Sequence, residues 1–232
     1  MDHQKPPMES GQSETPAGFI FPAWTNMIAA GVVGGILILG GLLTFVVWYY
    51  FSPKHTDVGY MPHQPVPYSH KLHAGELGID CRYCHTNVER SAHATVPPTQ
   101  TCMNCHTQIK TESPKLTKVR ESWASNKAIE WVKVHKIPDY AYFDHSRHVT
   151  RGVACVSCHG RVDQMEEVRQ VQPLSMGWCM DCHRDPAQNI RPKEQITKMD
   201  WEAPNGDAVA LGRQLIEQYN IKPPTDCSGC HR

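Results

Sequence analysis

All ten cysteines of this 232-residue chain fall in five copies of one short pattern, Cys-x-x-Cys-His. The copies are Cys81/Cys84/His85, Cys102/Cys105/His106, Cys155/Cys158/His159, Cys179/Cys182/His183 and Cys227/Cys230/His231. No cysteine is left for a disulfide or a lipid anchor. Zinc knuckles need four ligands per ion, and redox Cys-x-x-Cys pairs do not require a following histidine. The spacing is that of covalent c-type haem attachment: two thiols form thioethers to the porphyrin and the adjacent imidazole binds iron from one face. Five haem groups would also supply missing apolar bulk. The 40% hydrophobic content includes one long apolar segment, and the remainder is poor in core-forming side chains.

The stretch Phe143-Asp-His145-Ser-Arg-His148 lies just before the third motif, and its two histidines, three apart, share a face of any helical turn. Tyr68-Ser-His70-Lys-Leu-His73 stands in the same relation to the first motif. The chain therefore carries a duplicated two-motif unit, residues 68–110 and 143–185, with a fifth motif in a carboxy-terminal segment, 186–232. His70, His73, His145 and His148 are candidates for the second axial position of four irons. Residues 111–142 read as a helical connector, in which Ser113 can cap a helix begun by Pro114 with Leu116, Val119 and Trp123 on one face. A second helical pattern, Asp207 to Tyr219, ends before Pro223 and Pro224 and reads as a lid or docking helix for the last site. No strand pattern is convincing, so the expected fold is mostly irregular with short α-helices.

Residues 1–18, rich in Pro, Ser, Gln and Glu, read as a disordered tail. Met27 to Phe51 contains no charged residue and predicts a transmembrane helix within residues 19–51, flanked by Trp24 and by Trp48, Tyr49 and Tyr50. The run is too long for the apolar core of a cleaved signal peptide. Gly31 and Gly35 form a Gly-x-x-x-Gly pair that suits close approach of another helix. Residues 52–67, with Pro53, Pro62, Pro65 and Pro67, read as a semi-rigid spacer. Lys plus Arg and Asp plus Glu balance at 23 each, so no basic field points to nucleic acid.

The aromatic-x-His-x-x-His segments resemble the small class III multihaem cytochromes. That resemblance implies that His70 serves haem 1, His73 haem 2, His145 haem 3 and His148 haem 4. It also implies Met176 for haem 5, with Met165 and then His135 as rivals. Across almost the whole chain the order of features resembles the pentahaem cytochrome c subunit of alternative complex III, a bacterial quinol-oxidising respiratory complex. The residues that carry this are the single apolar helix, Gly78-Ile-Asp-Cys81-Arg-Tyr-Cys84-His85, Trp131-Val-Lys-Val-His135-Lys-Ile-Pro138-Asp139, Pro173-Leu-Ser-Met176-Gly-Trp-Cys179 and the terminal fifth motif.

The resemblance implies an electron carrier in the bacterial cytoplasmic membrane with its haem domain in the periplasm. It further implies membrane-embedded quinol-oxidising subunits, an iron-sulfur subunit like the molybdenum (molybdopterin) oxidoreductases as donor, and a monohaem cytochrome c subunit or a terminal oxidase as acceptor. Two other readings are an open-site multihaem enzyme such as a nitrite or hydroxylamine reductase, and a membrane-anchored multihaem quinol dehydrogenase.

Overall fold

The computed structural model describes residues 21–231, so the tail expected over 1–18 lies outside the described residues. The chain divides into two compact units, residues 1–49 and 50–232.

The first unit contributes nearly all of α1, Thr25–Tyr50. Its 26 residues span about 39 Å at 1.5 Å per residue, more than a hydrocarbon layer of about 30 Å requires. Among the described residues it is the one helix long and apolar enough to cross a membrane. None of its residues is buried, and a side chain added at Gly31, Gly34 or Gly35 would meet nothing.

The second unit is built of short helices joined by turns. The α-helices are α2 (Pro53–Thr56), α3 (Cys81–Cys84), α4 (Thr99–His106), α5 (Thr117–Ser125), α6 (His145–Val149), α7 (Cys155–His159), α8 (Met176–Arg184) and α9 (Ala208–Gln218). A π-helical turn covers Lys71–Glu76 and a 3₁₀ turn covers Cys227–Gly229. Among the described residues β structure is limited to two isolated bridges, Ala141 with His231 and Val153 with Ile190. The apolar core is sparse: among the described residues nine apolar side chains, including Val66, Val119, Ile190, Ile196 and Leu215, are buried. So few side chains cannot organise a domain of this length around a hydrophobic core alone.

Several expectations change in detail. Pro114–Leu116 form a 3₁₀ turn before α5, and the Ser113 side chain makes no cap bond. Val119 is buried but Trp123 is 48% exposed, because α5 rests on α4 through its Val119 and Ser122 side. Ser122 Oγ donates to the Lys127 carbonyl and lies 2.6 Å from Thr99 Oγ1 at the start of α4. The supposed spacer is docked: Gly59 N donates to the Gln170 carbonyl at 2.7 Å and Gln170 N to the Tyr60 carbonyl at 3.0 Å. Gln64 exchanges two bonds with the Val132 backbone. The proline content that reads as a stiff tether leaves enough free backbone groups to be pinned this way. Helix α9 starts where Asp207 accepts from Ala210 N at 2.8 Å and packs its buried Gly212 on the Ala187–Asn189 turn.

Candidate haem-binding site

A cysteine pair spaced i, i+3 followed by histidine at i+4 puts two thiols and an imidazole on one face of a helical turn. Motifs 1 to 4 are helical through both cysteines, in α3, α4, α7 and α8, and the fifth is a 3₁₀ turn. Asp80, Ser175 and Asp226 each cap one of these turns by accepting a backbone N–H. Helix α7 ends at Gly160, φ +64°, where a β-carbon would sit 2.8 Å from Val171 Cγ2. Glycine suits that left-handed, crowded position and stops the helix directly after His159.

The five motifs face a shared space. One cavity of about 2880 Å³ is lined by all ten motif cysteines and all five motif histidines. Pockets for one small molecule are typically about 300–1,000 Å³, so this space suits several large groups. Among the described residues no three His, Cys, Asp or Glu side chains converge as a metal cluster would need. The histidines instead meet in pairs. An imidazole nitrogen binds a first-row metal at about 2 Å, so two rings facing one ion from opposite sides have centroids roughly 6 Å apart. His73 lies 6.2 Å from His106, His145 6.4 Å from His159 and His148 6.0 Å from His183, centroid to centroid.

The two repeats build these pairs alike. Tyr68 meets His70 edge-on at 4.8 Å and stacks on His73 at 4.5 Å, and Phe143 meets His145 edge-on at 4.7 Å and stacks on His148 at 4.5 Å. The aromatic residue before each pair thus wedges both rings.

Backbone carbonyls fix which ring nitrogen is free. A carbonyl can only accept, so an imidazole bonded to one through Nδ1 carries its proton there and leaves the Nε2 lone pair open. His85 Nδ1 donates to the Thr95 carbonyl, His106 to Ile109, His183 to Pro224 and His231 to Tyr140, at 2.7–3.0 Å. His73 donates to Ser69, His145 to Ala92 and His148 to Asp144, at 2.7–2.8 Å. This is the outer-shell bond that orients metal-ligating histidines.

Burial also keeps the rings neutral, the form that binds metal. It depresses His159 to about 3, helped by the neighbouring His135 and His145, and His70 to about 4, helped by His85. His135, His145 and His148 are lowered, again by burial first. His70 Nδ1 is buried with no partner. The donor set, its protonation and its pairing therefore fit haem.

The remaining candidates separate. Met176 opens α8, is 66% exposed and lines the cavity. Met165 is 5% exposed and packs where Lys71 N donates to its carbonyl at 3.0 Å, away from the cavity wall. His135 lines the cavity with Nε2 buried and unpartnered, its ring edge-on to His159 at 4.5 Å. That is too close for the two to face one iron from opposite sides. Sequence reasoning missed the carbonyl acceptors, since every residue type offers a carbonyl and none marks the choice.

Comparison with known families agrees with this geometry. Residues 141–232 match the family described as cytochrome c7 and related cytochrome c. That region is a cytochrome c7-like multihaem domain. The chain is also similar to the menaquinone reductase, multiheme cytochrome c subunit, of Nitratidesulfovibrio vulgaris (strain Hildenborough), 33% identical over 97 residues. The match covers 41% of this chain and 45% of that relative, so the chain spans under half of the curated relative's length. Both findings support a multihaem cytochrome c.

Proposed function

We propose that the chain is the electron-transfer subunit of a bacterial quinol-oxidising respiratory complex, of the alternative complex III kind, relaying single electrons along five c-type haem sites. Bound haem iron would supply one-electron redox chemistry at a potential set by its axial ligands and surroundings. The observation that carries this reading is the facing of a motif histidine and a paired histidine at 6.0–6.4 Å at motifs 2, 3 and 4, where the two imidazoles would hold an iron between them and leave no open position for a substrate. His85 with His70 completes site 1 by the same repeat logic, and Met176 is the donor proposed opposite His231.

Helix α1 anchors the chain by a single pass, with the multihaem domain periplasmic. Its partners in this reading are quinol-handling membrane subunits, an iron-sulfur subunit of the molybdopterin-oxidoreductase type, and a cytochrome c or terminal oxidase. The menaquinone reductase relative favours a second reading in which the same wire runs toward quinone rather than away from it. On either reading the subunit is no enzyme by itself.

The test is electron paramagnetic resonance and resonance Raman of the purified protein, with cyanide and nitrite added. All sites are expected to stay low-spin and unchanged. A high-spin iron that binds either anion points to an open-site enzyme. Rapid haem reduction of the isolated subunit by a quinol would make it a quinol dehydrogenase instead. Reduction of the assembled complex by quinol against its reduction by the soluble partner separates the two directions of flow.

A further inference from the structure

Order along the chain is not order in space, and the contacts between motifs give the spatial order. Motifs 1 and 2 touch from within: Asn104 Nδ2 donates to Tyr83 Oη at 3.3 Å. Motifs 3 and 4 share Asn189, whose carbonyl accepts from Ala154 N at 3.1 Å, one residue before Cys155. Its side-chain amide donates to Cys182 Sγ at 3.4 Å. His183 of motif 4 donates to the carbonyl of Pro224, three residues before Cys227.

The repeats meet at motifs 1 and 3. The Ile196 carbonyl accepts from Cys155 N at 3.1 Å, and the next residue, Thr197, donates to Asp80 Oδ2 at 2.8 Å, where Asp80 caps α3. On the distal side the Ala92 carbonyl accepts from both N and Nδ1 of His145, and Thr95, three residues on, accepts from His85. Of the ten cysteines, Cys105 in motif 2 and Cys227 in motif 5 are the exposed ones.

We propose that the five sites follow one another in space in the order 2, 1, 3, 4, 5. The repeats are joined through sites 1 and 3, and sites 2 and 5 stand at the exposed ends where redox partners dock. This rests on the motifs being haem sites. Asp80 and Thr197 are positioning residues for the crossing between repeats, because one bond ties the cap of motif 1 to the strap that holds motif 3.

The full-length haem-loaded protein is titrated electrochemically while NMR follows each site, with signals assigned from single His-to-Met ligand variants. Oxidation of one site shifts the midpoint of another by an amount that falls with their separation. The interaction between sites 1 and 3 is expected to exceed that between 2 and 3 several-fold, and sites 2 and 5 are each expected to have one strong neighbour. A dominant 2–3 interaction, or a site 5 coupled chiefly to any site but 4, overturns the order. Thr197→Val, which alters no ligand, should weaken the 1–3 interaction and leave 1–2 and 3–4 unchanged, and an equal loss at every pair overturns its positioning role. High-spin, cyanide-binding sites would defeat the relay reading while leaving the order standing. Six-coordinate sites with another interaction pattern would do the reverse.

Discussion

Asp80 concentrates four hydrogen bonds at the meeting of the repeats, so its removal has a calculable cost. The carboxylate accepts from Arg82 N and Nε at 2.9 Å, from Arg82 Nη2 at 3.0 Å and from Thr197 Oγ1 at 2.8 Å. Loss of the cap costs about 1 kcal/mol, the exposed ion pair about 0.5 kcal/mol, and the Thr197 bond about 1 kcal/mol. Asp80→Ala should therefore lose about 2.5 kcal/mol, or roughly 5–10 °C in Tm for a unit of this size. Asp80→Asn keeps an oxygen for the cap and should lose about half of that.

The charge part can be checked by pH. Asp80 is lowered from 3.8 to about 2, first by its bond from Arg82. A shift of that size would be worth about 2.4 kcal/mol if undamped, but the side chain is 42% exposed, and screening leaves about 1 kcal/mol. Because the folded-state value is depressed, this stability is complete above pH 3.8 and is lost as pH falls through 2. Melting by far-UV circular dichroism between pH 6 and 2.5 should show the gap between wild type and Asp80→Ala narrowing at the acid end. A gap under 1 °C at pH 6, or one that widens with acid, would refute the account.

Three further outcomes follow from single contacts. Gly75→Ala drives a β-carbon into the Asp163 carbonyl, where the π-helical turn that carries His73 packs on Val162–Gln164, and should cost about 1–3 kcal/mol in chemical denaturation. Ser122→Ala strands Thr99 Oγ1 and the Lys127 carbonyl at the back of α4 and should cost about 1–2 kcal/mol by the same measurement. Replacing residues 1–51 by a cleavable secretion signal should move the multihaem domain from the membrane fraction to the soluble one, with its haem spectrum unchanged.

The parts of this protein that are legible in its sequence are those whose chemistry is local. Cys-x-x-Cys-His needs one helical turn to present its three groups, and the aromatic-x-His-x-x-His segments carry their own wedge. Helix α9 announces itself by Asp207 and an apolar face. The docked segment 52–67 was not legible, because its anchors are backbone groups of Gln170 and Val132, more than 60 residues away. The bond between Thr197 and Asp80 spans 117 residues and joins two residue types that occur on any surface. Trp123 misleads because an apolar helical stripe predicts burial only where a partner surface exists, and here α4 covers the neighbouring face.

The angles between paired rings carry a last consequence. His145 and His159 are nearly parallel, 8° apart, whereas His148 and His183 are 41° apart and His73 and His106 are 66° apart. Each ring of these pairs except His159 is held by an Nδ1 bond to a carbonyl, so its rotation is set by the fold rather than by the iron. Parallel ligand planes split the two iron d orbitals that point between ligands and porphyrin, giving a rhombic low-spin signal. Nearly perpendicular planes leave those orbitals close in energy and give a single strongly anisotropic low-field feature. Site 3 should therefore supply a rhombic spectrum and site 2 the anisotropic one, with site 4 between them. His145→Met should remove the rhombic component and His73→Met the anisotropic one. If His145→Met instead abolishes the low-field feature, the ring orientations, and with them the pairing of these histidines, are wrong.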